Sequence, residues 1–185
     1  MSKNNEPILL QFFLDKLKNN KLFVNFLDNT YCISKDGIKD ASENVPDYRI
    51  CIILAKYILL CPRQLDPDWV SFKDFKREAH FANVNFFSSE AEQVIVRRFS
   101  GKKNKLLKAC IKADGFKSKV DLPYDLSIQF NVLPRISLLL LFNDNDEEFS
   151  AQCIVLFQKH SEFYLDPESL AIAGSMLSKK ILEAA

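Results

Sequence analysis

The sequence predicts an α+β fold, a mainly antiparallel sheet with helices packed against it, on three observations. Leu126, Ile128 and Phe130 alternate with Ser127, Gln129 and Asn131, the period-two signature of a strand with one buried face. Ile136 to Phe142 is apolar almost throughout, as in a strand covered on both faces, and a second apolar run, Cys153 to Phe157, follows it. Between the two lies Asn143 to Glu148. Asn and Asp tolerate left-handed backbone and bond their own main chain, so the runs read as an antiparallel hairpin with an acidic tip.

Composition fits one domain over residues 1–185. A chain of 185 residues that is 48% hydrophobic and holds 16 Phe can bury one core, and a charged fraction of 26% with only four Gly argues against low complexity. The five cysteines, Cys32, Cys51, Cys61, Cys110 and Cys153, are odd in number and widely spaced, with no Cys-x-x-Cys pair. They read as reduced core thiols and exclude a local zinc ribbon or cluster site. The apolar start is interrupted by Asp15 and Lys16 with no cleavage site after it, and the longest apolar run, Ile50 to Cys61, contains Lys56 and is too short for a membrane span. The chain therefore reads as cytoplasmic, with no membrane partner.

In chain order, Pro7 opens a helix over residues 1–20 with Leu10, Phe13, Leu14 and Leu17 on one face. Leu22 to Leu27, Asp28-Asn29 and Thr30 to Ser34 read as strand, turn, strand, and Asp36-Gly37 as the next turn. Asp47 is the N-cap of a helix over Tyr48 to Leu60, stopped by Pro62 and apolar on most sides, which predicts a central place in the core. After a proline-bearing loop, Trp69 to Phe72 is a short extended piece. Ser89 to Glu92 has capping-box spacing and opens a helix to Phe99. A further helix from Asn104 to Asp114 ends at Gly115, taken as the left-handed terminator. Asp166-Pro167-Glu168 starts a last helix with Leu170, Ala173, Leu177 and Ile181 on one stripe.

The ordered segments WVSF (Trp69 to Phe72), LPRIS (Leu133 to Ser137), DEEF (Asp146 to Phe149), LF (Leu156-Phe157) and YLDPESLAIAG (Tyr164 to Gly174) carry a resemblance. The chain resembles an uncharacterised prokaryotic domain-of-unknown-function family, number 3786, over residues 21–182. The resemblance implies a fold unit found mostly in anaerobes, in some members beside a separate iron-sulfur module, and implies no reaction. Two departures stand out: Gln158 follows the Leu-Phe pair where the resemblance leads one to expect an acid, and the cysteine-rich module is absent.

The candidate chemistry is sparse. Asp144, Asp146, Glu147 and Glu148 are hard oxygen ligands, but EF-hand spacing meets Phe149 where Gly belongs and Val155 where a bidentate Glu belongs, so a solvated tip is the plainer reading and no metal is assigned. Arg135, following Pro134, can fork onto an acid such as Glu147 or onto an anionic ligand. His160 lies near Tyr164 and Asp166, and His80 near Glu78 and Phe81; two distant histidines do not make a His-rich site. His160 could serve Cys153 as a base, although Cys153 reads as core. Phosphate-loop, dinucleotide, nucleophile-elbow and zincin signatures are missing.

Net charge is +1, yet Arg97 to Lys119 holds nine basic residues against Asp114 alone. Arg97, Arg98, Lys102, Lys103 and Lys105 head a strip that could face phosphates, with a solvated helical face as the plainer reading. Strip and acidic tip could also be complementary surfaces of a homodimer. The expectation is a non-catalytic binding or accessory module for a small molecule or cofactor-related partner in anaerobic metabolism. Its ligand candidates are Trp69, Arg135, Asp146, Glu147, Glu148, His160 and Tyr164, around a Phe-lined cleft. The alternatives are an enzyme using the 144–148 carboxylates with His160, and nucleic-acid binding by the 97–119 strip. The sequence names no cofactor.

Overall fold

The computed structural model describes residues 21–60, 66–75 and 84–185. The helix expected over residues 1–20 and the loop around His80 lie outside the described residues. The observed order is β1 (Lys21–Phe26), β2 (Asn29–Ser34), β3 (Gly37–Lys39), α1 (Tyr48–Leu59), β4 (Trp69–Ser71) and a 3-10 turn (Phe72–Phe75). A helical run follows as α2 (Val84–Phe87), a π-helical turn (Ser88–Glu92) and α3 (Gln93–Phe99), then α4 (Lys103–Lys112), β5 (Phe116–Lys117), β6 (Leu126–Leu133) and β7 (Ile136–Asn143). β8 (Gln152–Gln158), a 3-10 turn (Lys159–Phe163) and α5 (Pro167–Glu183) close the order. The fold is α+β, with a small sheet β1-β2-β3 and a larger one ordered β4-β8-β7-β6-β5, every pairing antiparallel.

β7 is the middle strand of the larger sheet, which is why its sequence is apolar on both faces: Ile136 to Phe142 are all buried. On the inner face, Ile136, Leu138, Leu140 and Phe142 meet Ile128 and Phe130 of β6 and Cys153, Val155 and Phe157 of β8. Leu106 and Ala109 of α4 and Leu170, Ala173 and Leu177 of α5 join that same core. Gly174 is required where α5 meets the sheet, since a Cβ there would stand 2.6 Å from the Phe87 ring. The register of β6 slips at Val132, and the bulge turns the Val132 carbonyl toward the Leu27 amide at 2.8 Å, fastening the small sheet to the large one.

Several expectations need correction. The β1–β2 turn is Leu27-Asp28, one residue earlier than expected, with Leu27 at φ 54 held by its bond to Val132. Lys35-Asp36 forms the next turn, and Gly37 begins a third strand that the short polar segment did not signal. α1 is capped by Asp47 as expected but is peripheral: it buries Ile53 and Leu54, while Tyr48, Ile52, Ala55 and Leu59 form an exposed stripe. The capping box is not used. Ser89 lies inside the π-helical turn, and Glu92 Oε1 accepts from the Val155 amide at 3.0 Å, beyond the end of short β4. The turn leaves the Ala91 carbonyl available, and the Ser178 hydroxyl donates to it at 2.6 Å. At the end of α4 the left-handed residue is Asp114, φ 64, with Gly115 N–H returning to the Cys110 carbonyl in a Schellman arrangement. Gly115 is needed for closeness instead: a Cβ would meet the Phe130 ring at 2.6 Å.

Candidate functional site

One end of the larger sheet gathers four of the five motif segments. There β6 turns into β7 through Pro134-Arg135, β8 ends at Gln158, β4 begins at Trp69, and Tyr164 precedes the Asp166 cap of α5. Pro134 suits the first corner of this two-residue connection because its φ is preset. His160 is 3% exposed and works as a strap. Its Nε2 donates to the Arg135 carbonyl at 2.9 Å, and its Nδ1 faces the main chain of Asp66, whose N–H lies 3.2 Å away. In the neutral ring Nδ1 takes that N–H; protonated, it donates to the Asp66 carbonyl. Either way both ring nitrogens face backbone.

Tyr164 is the aromatic centre of this end. It is 1% exposed, stacks on Tyr57 of α1 at 5.3 Å between ring centroids, and meets the His160 ring edge-on at 6.1 Å. Its hydroxyl accepts from Arg135 Nη1 at 3.5 Å, so Arg135 is held at its main-chain carbonyl by His160 and contacted at its guanidinium by Tyr164. Gln158 Oε1 accepts from the Ser137 amide at 2.9 Å, a structural duty that an amide performs as well as the expected acid. Trp69 stands opposite Gln158 on β4, half-buried.

Sequence reasoning missed Lys56, Tyr57 and Asp66. Lys56 Nζ donates to the Asp166 carboxylate and reaches Ser169 Oγ at 3.3 Å, joining α1 to the start of α5. The signal was available, since a lysine inside an apolar run of this length needs an acidic partner. Burial works to raise the Asp166 carboxyl, but the Lys56 ammonium and the Ser169 amide outweigh it and hold the group below its ordinary value. Asp66 is likewise lowered, first by Lys159 and then by the Asp68 amide.

The acidic residues do not join this cluster. They occupy the loop between Asn143 and Gln152, at the far end of β8, and seven strand residues put about 20 Å between that loop and His160. The expected pairing of the 144–148 carboxylates with His160, and of Arg135 with Glu147, is therefore corrected by the length of the strand. Asp144 accepts from the Gly101 and Lys103 amides at 2.6 and 3.0 Å, capping α4, whose own N-cap residue Lys102 makes no side-chain cap bond. Asp146 accepts from the Glu148 and Phe149 amides, and Glu147 and Glu148 are exposed. An open depression of about 440 Å³ beside them is lined by Asp125, Asn143, Asp144, Asp146, Phe149 and Gln152 among others. The Asp125 carboxyl is lowered, first by the Asp144 amide and then by Lys103. Among the described residues no group of three His, Cys, Asp or Glu is placed to hold a metal ion.

The basic strip adjoins this tip. Arg97, Arg98, Lys102 and Lys105 are exposed, while Lys103 is half-buried and paired with Asp125 at 2.9 Å. Strip and tip thus lie side by side on one surface, where Asp144 of the tip accepts from the Gly101 and Lys103 amides. Cys153 and His160 lie at opposite ends of β8, and burial, with Glu92 nearby, pushes the Cys153 thiol well up. Burial likewise raises Cys110 to about 12. Neither is poised as a nucleophile. Among the described residues no helix is long and apolar enough to cross a membrane.

No curated protein and no solved structure matches the chain. A family model described as a domain of unknown function, DUF3786, matches residues 12–180. That match covers most of the chain, and the chain belongs to the DUF3786 family.

Proposed function

We propose that the chain is a cytoplasmic, non-catalytic binding module, and that a rim centred on Arg135, backed by the buried Tyr164 and His160, receives the anionic group of a small molecule. One observation carries this reading. An arginine that only solvates a turn is free at its head, whereas Arg135 is exposed yet fixed from below, its carbonyl on the buried His160 and its Nη1 on the buried Tyr164. Buried groups that orient an exposed cation are what a preorganised carboxylate or phosphate site requires. His160 supports the non-catalytic half of the reading, because both of its ring nitrogens face backbone. Trp69, half-buried on the neighbouring strand, could contact the apolar part of such a ligand.

The test is native mass spectrometry on the full chain purified anaerobically from its native host. The expected result is a retained anionic mass on the wild type that Arg135→Gln loses, with unchanged thermal stability of the protein. A mass retained equally by Arg135→Gln, or no retained mass together with no stabilisation by added phosphate or dicarboxylates, overturns the reading.

A further inference from the structure

We propose that the side-chain row Asn131, Ser137, Gln158 and Trp69, beside Arg135, is a hydrogen-bond-donor subsite that selects a dicarboxylate over a monocarboxylate. The inference rests on the reading of Arg135 as the anchor for an anionic group, and it assigns the second end of that ligand.

The register of the larger sheet builds the row. Asn131 of β6 faces Ser137 of β7, and Trp69 of β4 faces Gln158 of β8. Gln158 follows Phe157, the partner of Leu138, and so stands beside Ser137. The row therefore crosses four strands at one level, each step one strand spacing of about 4.8 Å. Ser137 and Gln158 alternate with Leu138 and Phe157 of the helix-packed core, which puts the row on the other face of the sheet. Arg135 is two residues from Ser137, within about 7 Å along the chain.

The hydrogen bonds inside the row decide what it offers a ligand. The Ser137 backbone N–H can only donate, so the Gln158 amide turns its oxygen to it at 2.9 Å and its Nε2 group away. The Ser137 hydroxyl, on a residue only 9% exposed, donates to Asn131 Oδ1 at 2.9 Å. Asn131 is itself exposed and keeps its Nδ2 group for a partner. Both amide oxygens are thus used within the sheet, and both NH2 groups are left to donate. The indole N–H of half-buried Trp69 is a donor and never an acceptor. Asp66, an acid at this end of the sheet, is paired with Lys159 at 3.1 Å. Neutral donors beside an arginine suit a second carboxylate, whereas they give a cationic group nothing to bond and a monocarboxylate leaves them unused.

The test is isothermal titration calorimetry of the full chain with succinate and with butyrate, alongside the emission of Trp69, the only tryptophan. The wild type prefers succinate by about tenfold or more, and succinate changes Trp69 emission. Gln158→Glu and Asn131→Asp each keep the oxygen that Ser137 bonds and replace the NH2 by a carboxylate oxygen, so both retain the fold. Each lowers the preference for succinate roughly tenfold. An unchanged preference in both variants, equal affinity of the wild type for the two acids, or succinate binding with no response from Trp69 overturns this inference. In any of those cases the Arg135 reading still stands if Arg135→Gln loses both ligands. Failure of the wild type to bind either acid overturns the two together.

Discussion

Replacing Asp144 by Ala separates a structural acid from a free one. The carboxylate takes the Gly101 and Lys103 amides at the start of α4, where Lys102 offers no side-chain cap of its own. Loss of an N-cap costs about 1 kcal/mol, and loss of a negative charge beside a helix N-terminus about 0.5 kcal/mol more. Asp144 also accepts from Asn145, so the sum approaches about 2 kcal/mol, kept below about 3 because the half-buried site lets water reach the freed amides. For a chain of this size that is a fall in Tm of roughly 4–8 °C. Urea unfolding followed by far-ultraviolet circular dichroism measures it, with Asp144→Asn losing about 0.5 kcal/mol because the amide oxygen still accepts. Glu147→Ala and Glu148→Ala, exposed on the same loop, stay within about 0.5 kcal/mol of the wild type. If Asp144→Ala falls in that same range, or if the two glutamates cost as much as Asp144, the assignment of the acidic loop as a helix cap is wrong.

Three more outcomes follow from named contacts. Gly115→Ala drives a Cβ into the Phe130 ring and the Cys110 carbonyl and costs about 1–3 kcal/mol by urea titration; a neutral result would mean that the α4–β5 connection yields freely. Asp166 has a folded-state carboxyl held below its unfolded value, so its contribution is present above the unfolded value and fades as pH falls through the folded one. Lys56→Met removes the strongest downward influence and leaves burial pushing the folded value up toward or past the unfolded one, so this group's share of the acid loss of stability shrinks and the acid limb of the profile flattens; an unchanged limb refutes the pairing. The pair is more than one-third exposed, and its loss at neutral pH costs only about 1 kcal/mol. Cys110 and Cys153, buried with raised thiols, resist alkylation at pH 8 until the protein unfolds, and rapid native labelling at either would show that the sheet opens locally.

The larger sheet was legible in the sequence because its pattern follows directly from position. A middle strand must be apolar on both sides, as β7 is, and a strand backed by helices on one side alternates, as β6 does. The Asp47 and Asp166 caps were equally legible, since a cap is a local device. What was missed depends on tertiary partners. Gly115 looks like a helix terminator in sequence, but Asp114 can adopt the left-handed conformation itself, and only the nearness of Phe130 demands a glycine next to it. Ser89 to Glu92 spells a capping box, yet the Ser178 hydroxyl and the Val155 amide draw that segment into a π-helical turn. α1 is apolar enough for a core, and nothing in its own residues tells which side faces α5. At the candidate site, Arg135, His160 and Tyr164 were named from sequence and do come together; the acidic residues were named with them and do not, because a strand's length separates them.

That separation is itself a constraint on function. β7 is sealed on both faces, so a register slip would move its leucines against the wrong partners and expose an apolar set on each side. The two ends of the strand are consequently held at a fixed distance. A small molecule on Arg135 cannot also touch Glu147 or Glu148, and a cation held by the acidic loop cannot neutralise an anion on Arg135. The rim and the loop are independent, and mutations in one should leave binding at the other additive with the wild type. If Glu147→Ala and Glu148→Ala together changed the affinity of the Arg135 rim for phosphate by tenfold, the strand would have to move as a unit, and the rigid reading of β7 would fail.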